Sequence, residues 1–432
     1  MKFKFHIDKI WIGLFVVVVA FRLAVYAGVM LDPGRAMTPD SGDYIHLAST
    51  ISRYGAFGEP AAPESFRVPG YPAFLAGLHE LSESPRFISL AQVILSLATC
   101  VLVWNLARRL MGRKSGYVAL LVQGFSIVSA VYACRILSEA LFVFIFALFL
   151  NLFLLTPDTP SGFRDWARII GAGVVLAAAA YVRAVALPIG IICVAFWVIQ
   201  GRPSQAIAFG MVWALLLAPW YIRNAVRTGE PPHFSTVSAY NMYRYNACML
   251  LARENDLTFA QQQALIDEEL SHRESQAAGA RYAAWEAWKV ISERPFLYVG
   301  MHMATVPVNL LPAGGELLQT YGVEIGRSGT LGVARDAGVM AAVKYYFEGK
   351  WGWLAVLLPV IVLLAVIYGF ALVGMLHGLR IRYLRAGVIF LGLLTVYFML
   401  APGGASHPRF RMPAMPLLAI LAAHIKAPHS EW

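Results

Sequence analysis

Charged side chains are scarce in this chain, where they make up 14% of the 432 residues. An ordinary soluble domain carries about 25%. The apolar share is high, at 59%, and the apolar residues run in blocks long enough for membrane-crossing helices, which need about 20 residues each. The composition therefore argues against a soluble domain and predicts an all-α polytopic integral membrane protein.

Cysteine is also scarce, and the chain has no CxxC pair and no Cys/His grouping. The four cysteines are scattered, mostly inside apolar blocks: Cys100, Cys134, Cys193 and Cys248. This pattern indicates neither a disulfide framework nor a structural zinc site. Internal repeats and low-complexity linkers are missing as well. We expect small buried cysteines within a single unit that covers residues 1–432.

The chain is basic, with a formal net charge of +10, which raises the question of nucleic acid as a partner. The basic residues alternate with the apolar blocks instead of forming one surface. Such a distribution is typical of charges that set membrane topology. We therefore expect no nucleic-acid partner.

Ten apolar blocks are predicted to cross the membrane. They are Ile10 to Met30, Phe87 to Leu106, Tyr117 to Val131, Leu137 to Thr156, Ile169 to Tyr181, Val185 to Gln200, Ala206 to Trp220, Trp351 to Leu376, Ala386 to Ala401 and Met412 to Ile425. A further block, Phe296 to Leu311, contains Pro307 and is predicted either to span the membrane or to lie in its interface. The pattern predicts a bundle of about 10 to 11 transmembrane helices.

Short basic loops orient the bundle, because Lys and Arg near span ends stay on the cytoplasmic side. This rule puts both termini in the cytoplasm and two long segments, residues 31–86 and 221–350, on the outer face. Both segments are predicted to contain amphipathic helices. These run from Asp43 to Tyr54, from Tyr71 to Leu81, and from a capping box at Thr258 and Gln261 to Arg294.

Six arginines lie at or near the outer ends of spans, against the positive-inside bias: Arg67, Arg135, Arg183, Arg223, Arg409 and Arg411. An arginine inside hydrocarbon costs about 2.5 to 3.5 kcal/mol on insertion scales, so an anion is expected to offset the cost. A guanidinium fork matches phosphate oxygens, and the set favours a phosphate site. For any single arginine, snorkelling to lipid headgroups or pairing with a local acid is an alternative.

Three acidic residues lie near the face of the membrane that is predicted to be the outer one. Asp40 and Asp43 follow the first span, and Glu139 begins the fourth. A carboxylate there could deprotonate a hydroxyl group. Asp40 could instead cap the helix that begins near Asp43, and Glu139 could pair with Arg135, four residues earlier.

Five motifs in order along the chain resemble the GT-C membrane glycosyltransferases, most closely the branch of protein O-mannosyltransferases and lipid A aminoarabinose transferases. They are Asp40-x-x-x-Tyr44, Arg67-Val68-Pro69-Gly70-Tyr71-Pro72, Ser138-Glu139-Ala140-Leu141-Phe142, Pro219-Trp220-Tyr221-Ile222-Arg223-Asn224 and Pro408-Arg409-Phe410-Arg411-Met412-Pro413. The resemblance implies a GT-C-like helical bundle with a polyprenyl-phosphate sugar donor, an acceptor reached from the outer face, and inversion at the anomeric carbon.

The resemblance also implies roles for individual residues. Asp40 is expected to be the catalytic carboxylate. The residues expected to bind the donor phosphate are Arg67, Arg223, Arg409 and Arg411, and those expected to contact substrate are Asp43, Tyr44, Tyr71, Arg135 and Glu139. Related enzymes often carry a second acid directly after the first, where this chain has Ser41, so a metal role is in doubt. We expect no metal, nucleotide or other cofactor.

The expected function is that of an inverting glycosyltransferase in the bacterial inner membrane, with a glycan, lipid or protein as acceptor. A flippase or transporter of lipid-linked sugars would also need outer arginines near a lipid phosphate, but transporters commonly show inverted repeats, which this chain lacks. An oligosaccharide polymerase or ligase that uses a pyrophosphate-linked donor is a second alternative.

Overall fold

A computed structural model describes residues 8–59, 64–325, 330, 333 and 339–426, and every regular element in these ranges is helical. The all-α class predicted from composition is confirmed. The first ten α-helices are α1 (Lys9–Leu31), α2 (Ser41–Tyr54), α3 (Gly70–His79), α4 (Pro85–Met111), α5 (Arg113–Gly124), α6 (Ile127–Ala133), α7 (Glu139–Leu154), α8 (Phe163–Val182), α9 (Leu187–Ile199) and α10 (Pro203–Thr228).

The second half of the chain is equally helical. Its α-helices are α11 (Val237–Asn241), α12 (Cys248–Glu254), α13 (Phe259–Ser271), α14 (Gln276–Glu293), α15 (Pro295–Asn309), α16 (Gly314–Thr320), α17 (Val339–Phe347), α18 (Gly352–Arg380), α19 (Arg382–Leu400) and α20 (Met415–Ala423). A π-helical turn (Met242–Ala247) joins α11 to α12, and a 3-10 turn (Pro408–Ala414) leads into α20.

Six of the described helices are long and apolar enough to cross a membrane, as judged by length and composition: α1, α4, α8, α10, α18 and α19. The number rises to eight if each of two bent helix pairs is one span. These pairs are α5 with α6, bent by 54°, and α15 with α16, bent by 47°. The block around Pro307 thus forms half of a bent pair. The predicted spans at Leu137 to Thr156 and Val185 to Gln200 are shorter apolar helices.

The last predicted span, Met412 to Ile425, takes a different form. It contains only nine α-helical residues, α20, between two 3-10 turns, and all nine are buried. This helix packs against α4, α5, α18 and α19, so it lies at the centre of the bundle. An apolar run without periodicity is compatible with burial in lipid and with burial in protein. The sequence therefore did not distinguish a lipid-facing helix from a helix surrounded by protein.

The bend between α5 and α6 is held by a buried arginine from the first helix. Arg22 of α1 donates from Nη2 to the carbonyl oxygen of Gln123 (2.7 Å) and from Nε to that of Gly124 (3.1 Å). Helix ends leave carbonyl groups without intrahelical partners, and Arg22 supplies donors to them inside the bundle. Ser126 caps the start of α6 by accepting a hydrogen bond from Ser129 N.

The predicted outer helices are largely as expected. Helix α2 ends at Gly55, whose φ of 61° is the left-handed conformation that glycine tolerates. The capping box at the start of α13 is present, with both Thr258 and Gln261 contacts made. The prediction of one continuous helix from there to Arg294 is wrong, because the chain turns after Ser271 and α14 begins with Ser275 as its own N-cap.

Close packing of α18 against α20 yields a stability prediction. A Cβ atom on Gly374 would meet the backbone carbonyl oxygen of Leu421, whereas one on Gly369, in the same helix, would meet nothing within 4 Å. We expect Gly374→Ala to lower the free energy of unfolding by about 1–3 kcal/mol through overpacking. Gly369→Ala should be neutral or should stabilise by up to about 1 kcal/mol, from helix propensity alone.

Thermal unfolding of both variants in the same detergent checks this. Equal melting temperatures for the two variants would contradict the proposed contact between the helices.

Candidate functional site

Three segments that are far apart in the sequence meet at one carboxylate. Arg67, just before α3, donates from Nη2 to Oδ1 of Asp40 at 2.9 Å. Arg409, in the 3-10 turn before α20, donates from Nη1 to the other oxygen, Oδ2, also at 2.9 Å. Each oxygen of Asp40 is therefore bound by a different guanidinium group. The structure brings together three residues that the motifs singled out.

Asp40 is held in place by its neighbour in the chain. The hydroxyl group of Ser41 is buried, accepts a hydrogen bond from Thr38 N (2.9 Å) and donates to the carbonyl oxygen of Ile136 (2.9 Å), in the turn between α6 and α7. A second carboxylate at this position could not donate that bond, so Ser41 has a positioning role here. Asp40 makes no side-chain capping bond to α2, which removes helix capping as the explanation for this acid.

Arg67 has further partners around its guanidinium group. Its Nη2 also donates to Oδ2 of Asp43 (2.9 Å), and its Nη1 reaches the hydroxyl oxygen of Tyr44 (3.4 Å). The guanidinium carbon lies 4.8 Å from the centroid of the Tyr44 ring, within the range of a cation–π contact. Asp43, Tyr44 and Arg67 thus form one side of the site.

The loop that carries Arg67 is stabilised by Glu64 and by a second arginine, Arg223. Glu64 Oε1 accepts hydrogen bonds from the backbone N–H groups of Phe66 (2.5 Å) and Arg67 (2.8 Å). Arg223 of α10 donates to the backbone carbonyl oxygens of Glu64 (2.6 Å) and Phe57 (2.8 Å). Arg223 was predicted to bind donor phosphate; in the structure its two terminal nitrogens donate to these carbonyl oxygens, and Nη1 also donates to Oδ1 of Asn224 (2.8 Å). Its contact with the site is indirect, through the loop.

Arg411 and Arg135 also bind backbone groups. Arg411 is only 2% exposed and donates from Nη1 to the carbonyl oxygens of Asn309 and Leu311, both at 2.7 Å. Arg135 donates to the carbonyl oxygen of Arg35. The structure therefore places Arg411 against the end of α15, and both arginines join segments that are distant in the sequence.

Glu139 pairs with an arginine other than the one expected. Its Oε1 lies 2.7 Å from Nη1 of Arg183, at the C-terminal end of α8. The alternative of a pair with Arg135 is wrong, because residues 134–138 form a turn between α6 and α7 and not one continuous helical face. Arg183 also donates to the hydroxyl group of Ser138 (3.1 Å), which lies 3.4 Å from that of Tyr44. Glu139 is thus connected to the site through Ser138.

Tyr71 packs against Tyr44 from the protein interior. It is fully buried, its hydroxyl group donates to Gln92 Oε1 (2.6 Å), and its ring meets the Tyr44 ring edge-on at 4.8 Å. Gln92 in turn donates to the backbone carbonyl oxygens of Ala133 and Arg135. Tyr71 was predicted to contact substrate; in the structure it is fully buried and packs on the ring of Tyr44.

Sequence reasoning missed a polar cluster on the other side of Arg409. Glu316 of α16 lies 3.5 Å from the hydroxyl group of Tyr132 and 3.9 Å from Nε2 of His407. The other ring nitrogen of His407 accepts a hydrogen bond from the backbone N–H of Arg409 (3.2 Å). The position of His407, two residues before Arg409, is the feature of the sequence that could have pointed to this cluster. The missed partner Arg183 had been grouped with the outer arginines.

The two arginines set the protonation state of Asp40. Burial raises the pKa of this carboxyl group, but the charge of Arg409 and the hydrogen bond from Arg67 outweigh burial, and the pKa is lowered overall from its usual 3.8. Asp40 is therefore ionised at neutral pH, and it gains a proton only as the pH falls below its ordinary range. The arrangement offers a carboxylate base beside two cations. Within the described ranges, no group of three His, Cys, Asp or Glu side chains could hold a metal ion.

A comparison with protein families finds one match. Residues 63–222 fit the family model of dolichyl-phosphate-mannose-protein mannosyltransferase. This stretch is less than half of the chain and includes Arg67, Glu139 and Arg183, whereas Asp40 and Arg409 lie outside it. No curated protein matches the chain.

Several solved structures are similar to this chain. The Archaeoglobus fulgidus oligosaccharyltransferase, tethered to an acceptor peptide, is 14% identical with a TM-score of 0.55, and the match covers 96% of this chain and 49% of that one. The oligosaccharyltransferase AglB of the same organism, in complex with an inhibitory peptide and a dolichol-phosphate, is 14% identical with a TM-score of 0.51, over 94% and 50% of the two chains. ArnT from Cupriavidus metallidurans is 17% identical, with a TM-score of 0.41 over 96% and 78%.

The chain has the fold of the GT-C membrane glycosyltransferases, and the resemblance seen in the five motifs is confirmed at this level. It spans about half the length of the oligosaccharyltransferases that it matches.

The Glu139–Arg183 pair yields a prediction. Glu139→Gln keeps the shape but leaves the guanidinium group of Arg183 without a counter-charge, so we expect a loss of about 1–3 kcal/mol in the free energy of unfolding. The matched control is Asp43→Asn, which removes a carboxylate whose side chain is 61% exposed and should cost no more than about 1 kcal/mol. Thermal unfolding in detergent measures both. Similar melting temperatures would show that the Glu139 pair does not hold α7 to α8.

Proposed function

We propose that this protein is an inverting glycosyltransferase that moves a sugar from a polyprenyl-phosphate donor to an acceptor hydroxyl group at the outer face of the membrane. The observation that carries the proposal is the pair of guanidinium groups, from Arg67 and Arg409, that converge on the carboxylate of Asp40. A base beside two phosphate-binding groups is what this transfer requires. The GT-C fold supports the reaction class.

Asp40 acts as the general base in this proposal. Its carboxylate takes the proton of the acceptor hydroxyl group while that oxygen attacks the anomeric carbon. The bond between this carbon and the phosphate oxygen breaks, and its electron pair stays on the departing polyprenyl phosphate. The lowered pKa of Asp40 keeps the carboxylate ionised at neutral pH, as a base must be.

Arg67 and Arg409 hold the donor phosphate and stabilise the charge that grows on it. Such stabilisation is strongest where water is partly excluded, and the side chains of Arg67 and Arg409 are 15% and 27% exposed. They are thus shielded but still reachable. Arg223 and Arg411 contribute by holding the Arg67 loop and the end of α15 in place.

The comparisons support a lipid-phosphate donor. The matching family model is that of a dolichyl-phosphate-mannose-protein mannosyltransferase, and AglB, which shares the fold, has been solved with a dolichol-phosphate bound. A flippase of lipid-linked sugars would also bind such a lipid, but it deprotonates no acceptor and needs no ionised base between two arginines. A polymerase or ligase needs the same base and differs in its pyrophosphate-linked donor, which the donor panel below distinguishes. The acceptor is a glycan, lipid or protein hydroxyl group.

The reaction is tested by incubating the purified protein with a panel of polyprenyl-phosphate sugars and an extract of envelope acceptors, and by following release of free polyprenyl phosphate. We expect Asp40→Asn to keep the fold and lose about 10² to 10⁴-fold in rate, the usual contribution of a positioned base. Asp43→Asn, which removes the exposed partner of Arg67, should be milder. Normal turnover by Asp40→Asn would exclude the base assignment, and no release from any donor would exclude the reaction.

The outer location of the site is tested by cysteine labelling. The four native cysteines are buried, so background labelling is low, and both Leu81 and Phe163 have exposed side chains. From the positive-inside distribution, we expect Leu81→Cys to react with an impermeant maleimide in intact cells and Phe163→Cys to react only after permeabilisation. The reverse pattern would place Asp40 on the cytoplasmic side.

A further inference from the structure

Asp40 occupies both of the arginines that the donor phosphate needs. Its Oδ1 is bound by Arg67 and its Oδ2 by Arg409, each at 2.9 Å. Neither contact belongs to a helix cap, so the carboxylate is held by the cations alone. One anionic group with two oxygens thus bridges two guanidinium groups that come from opposite ends of the chain.

We propose that Asp40 is an internal substitute for the donor phosphate, and that the phosphate binds between Arg67 and Arg409 by displacing the carboxylate from them. This inference rests on the proposed function and adds to it the way in which donor binding activates the base. A phosphodiester, like a carboxylate, shares one negative charge between two oxygens on one centre, and guanidinium groups bind both kinds of anion through charge-assisted hydrogen bonds. The same pair of cations can therefore accept either anion.

The exchange alters the basicity of Asp40. The charged and titratable groups around it are the two arginines, Asp43 on the far side of Arg67, and Glu139 and Tyr132 near Arg409. Burial alone raises the pKa of Asp40, and the arginines bring it below its ordinary value. When phosphate takes over the arginines, burial remains and the carboxylate becomes a stronger base. Once released from the arginines, the carboxylate is free to take the proton of the acceptor hydroxyl group.

The same exchange sets the order in which donor and acceptor react. The donor must bind before the acceptor can be deprotonated, because the base is engaged until the phosphate arrives. After transfer, the return of Asp40 to the arginines competes with the product polyprenyl phosphate and promotes its release, while the proton leaves to water. The partial exposure of the Asp40 side chain, 28%, gives both anions access to the arginines.

The exchange is tested by binding alone, with no acceptor. The detergent-solubilised full chain is titrated with farnesyl phosphate, and with farnesol as a probe that has the same tail but no phosphate. We expect Asp40→Asn to bind farnesyl phosphate about 3- to 30-fold more tightly than the wild type, because two partly exposed ion pairs no longer compete. Its affinity for farnesol should not change.

Asp43→Asn is the matched control, since Asp43 is bound by Arg67 only and is mostly exposed. Its gain for farnesyl phosphate should be smaller than about 3-fold. Unchanged or weaker binding by Asp40→Asn would overturn the exchange and would mean that the carboxylate orients the arginines for the phosphate. A gain of the same size for farnesol would also overturn it, because the effect would then come from the lipid tail.

The arginine variants separate this inference from the proposed function. If Arg67→Ala and Arg409→Ala weaken binding of farnesyl phosphate but Asp40→Asn does not strengthen it, only the exchange fails. If the wild type and both arginine variants bind farnesyl phosphate equally, the phosphate site itself is wrong and both proposals fail. Melting temperatures of all variants establish that each is folded.

Discussion

The contacts of Asp40 with Arg67 and Arg409 are the constraint around which the candidate site is built. In a chain with few charges, a guanidinium group at the membrane surface must find an anion or a set of carbonyl oxygens, because an unpaired buried charge is costly. Here the carboxylate of Asp40 forms ion pairs with two arginines. To bring them together, the segment before α2, the loop before α3 and the turn before α20 must converge, and each is held by its own hydrogen bonds.

Seven arginines in and around the site fall into two groups by the kind of partner that they bind. Arg22, Arg135, Arg223 and Arg411 donate to backbone carbonyl oxygens at helix ends or in loops, whereas Arg67, Arg183 and Arg409 bind carboxylates. A carbonyl group left without its donor would be buried and unsatisfied, so the first group is fixed. Only a carboxylate that is partly exposed can be exchanged for another anion, and this condition is met at Asp40.

Much of the fold follows from local signals. The apolar blocks predicted the membrane class, Gly55 marked the end of α2, and the capping box marked the start of α13, since each depends on residues close in sequence. The break between α13 and α14 and the central position of α20 were not predicted. A polar helix tolerates a turn wherever its buried face allows it, and an apolar segment is compatible with lipid or with a protein interior.

The sequence by itself determined that arginines and a few acids gather near the span ends that were predicted to face outward, and the motifs selected Asp40, Arg67 and Arg409 among them. Tertiary structure decided which cations share an anion. Arg409 is 369 residues from Asp40 along the chain, and Glu139 binds Arg183 rather than the nearer Arg135. Charge pairing depends on distance in space and on desolvation. Both are set only when the helices pack, so the order of residues does not show them.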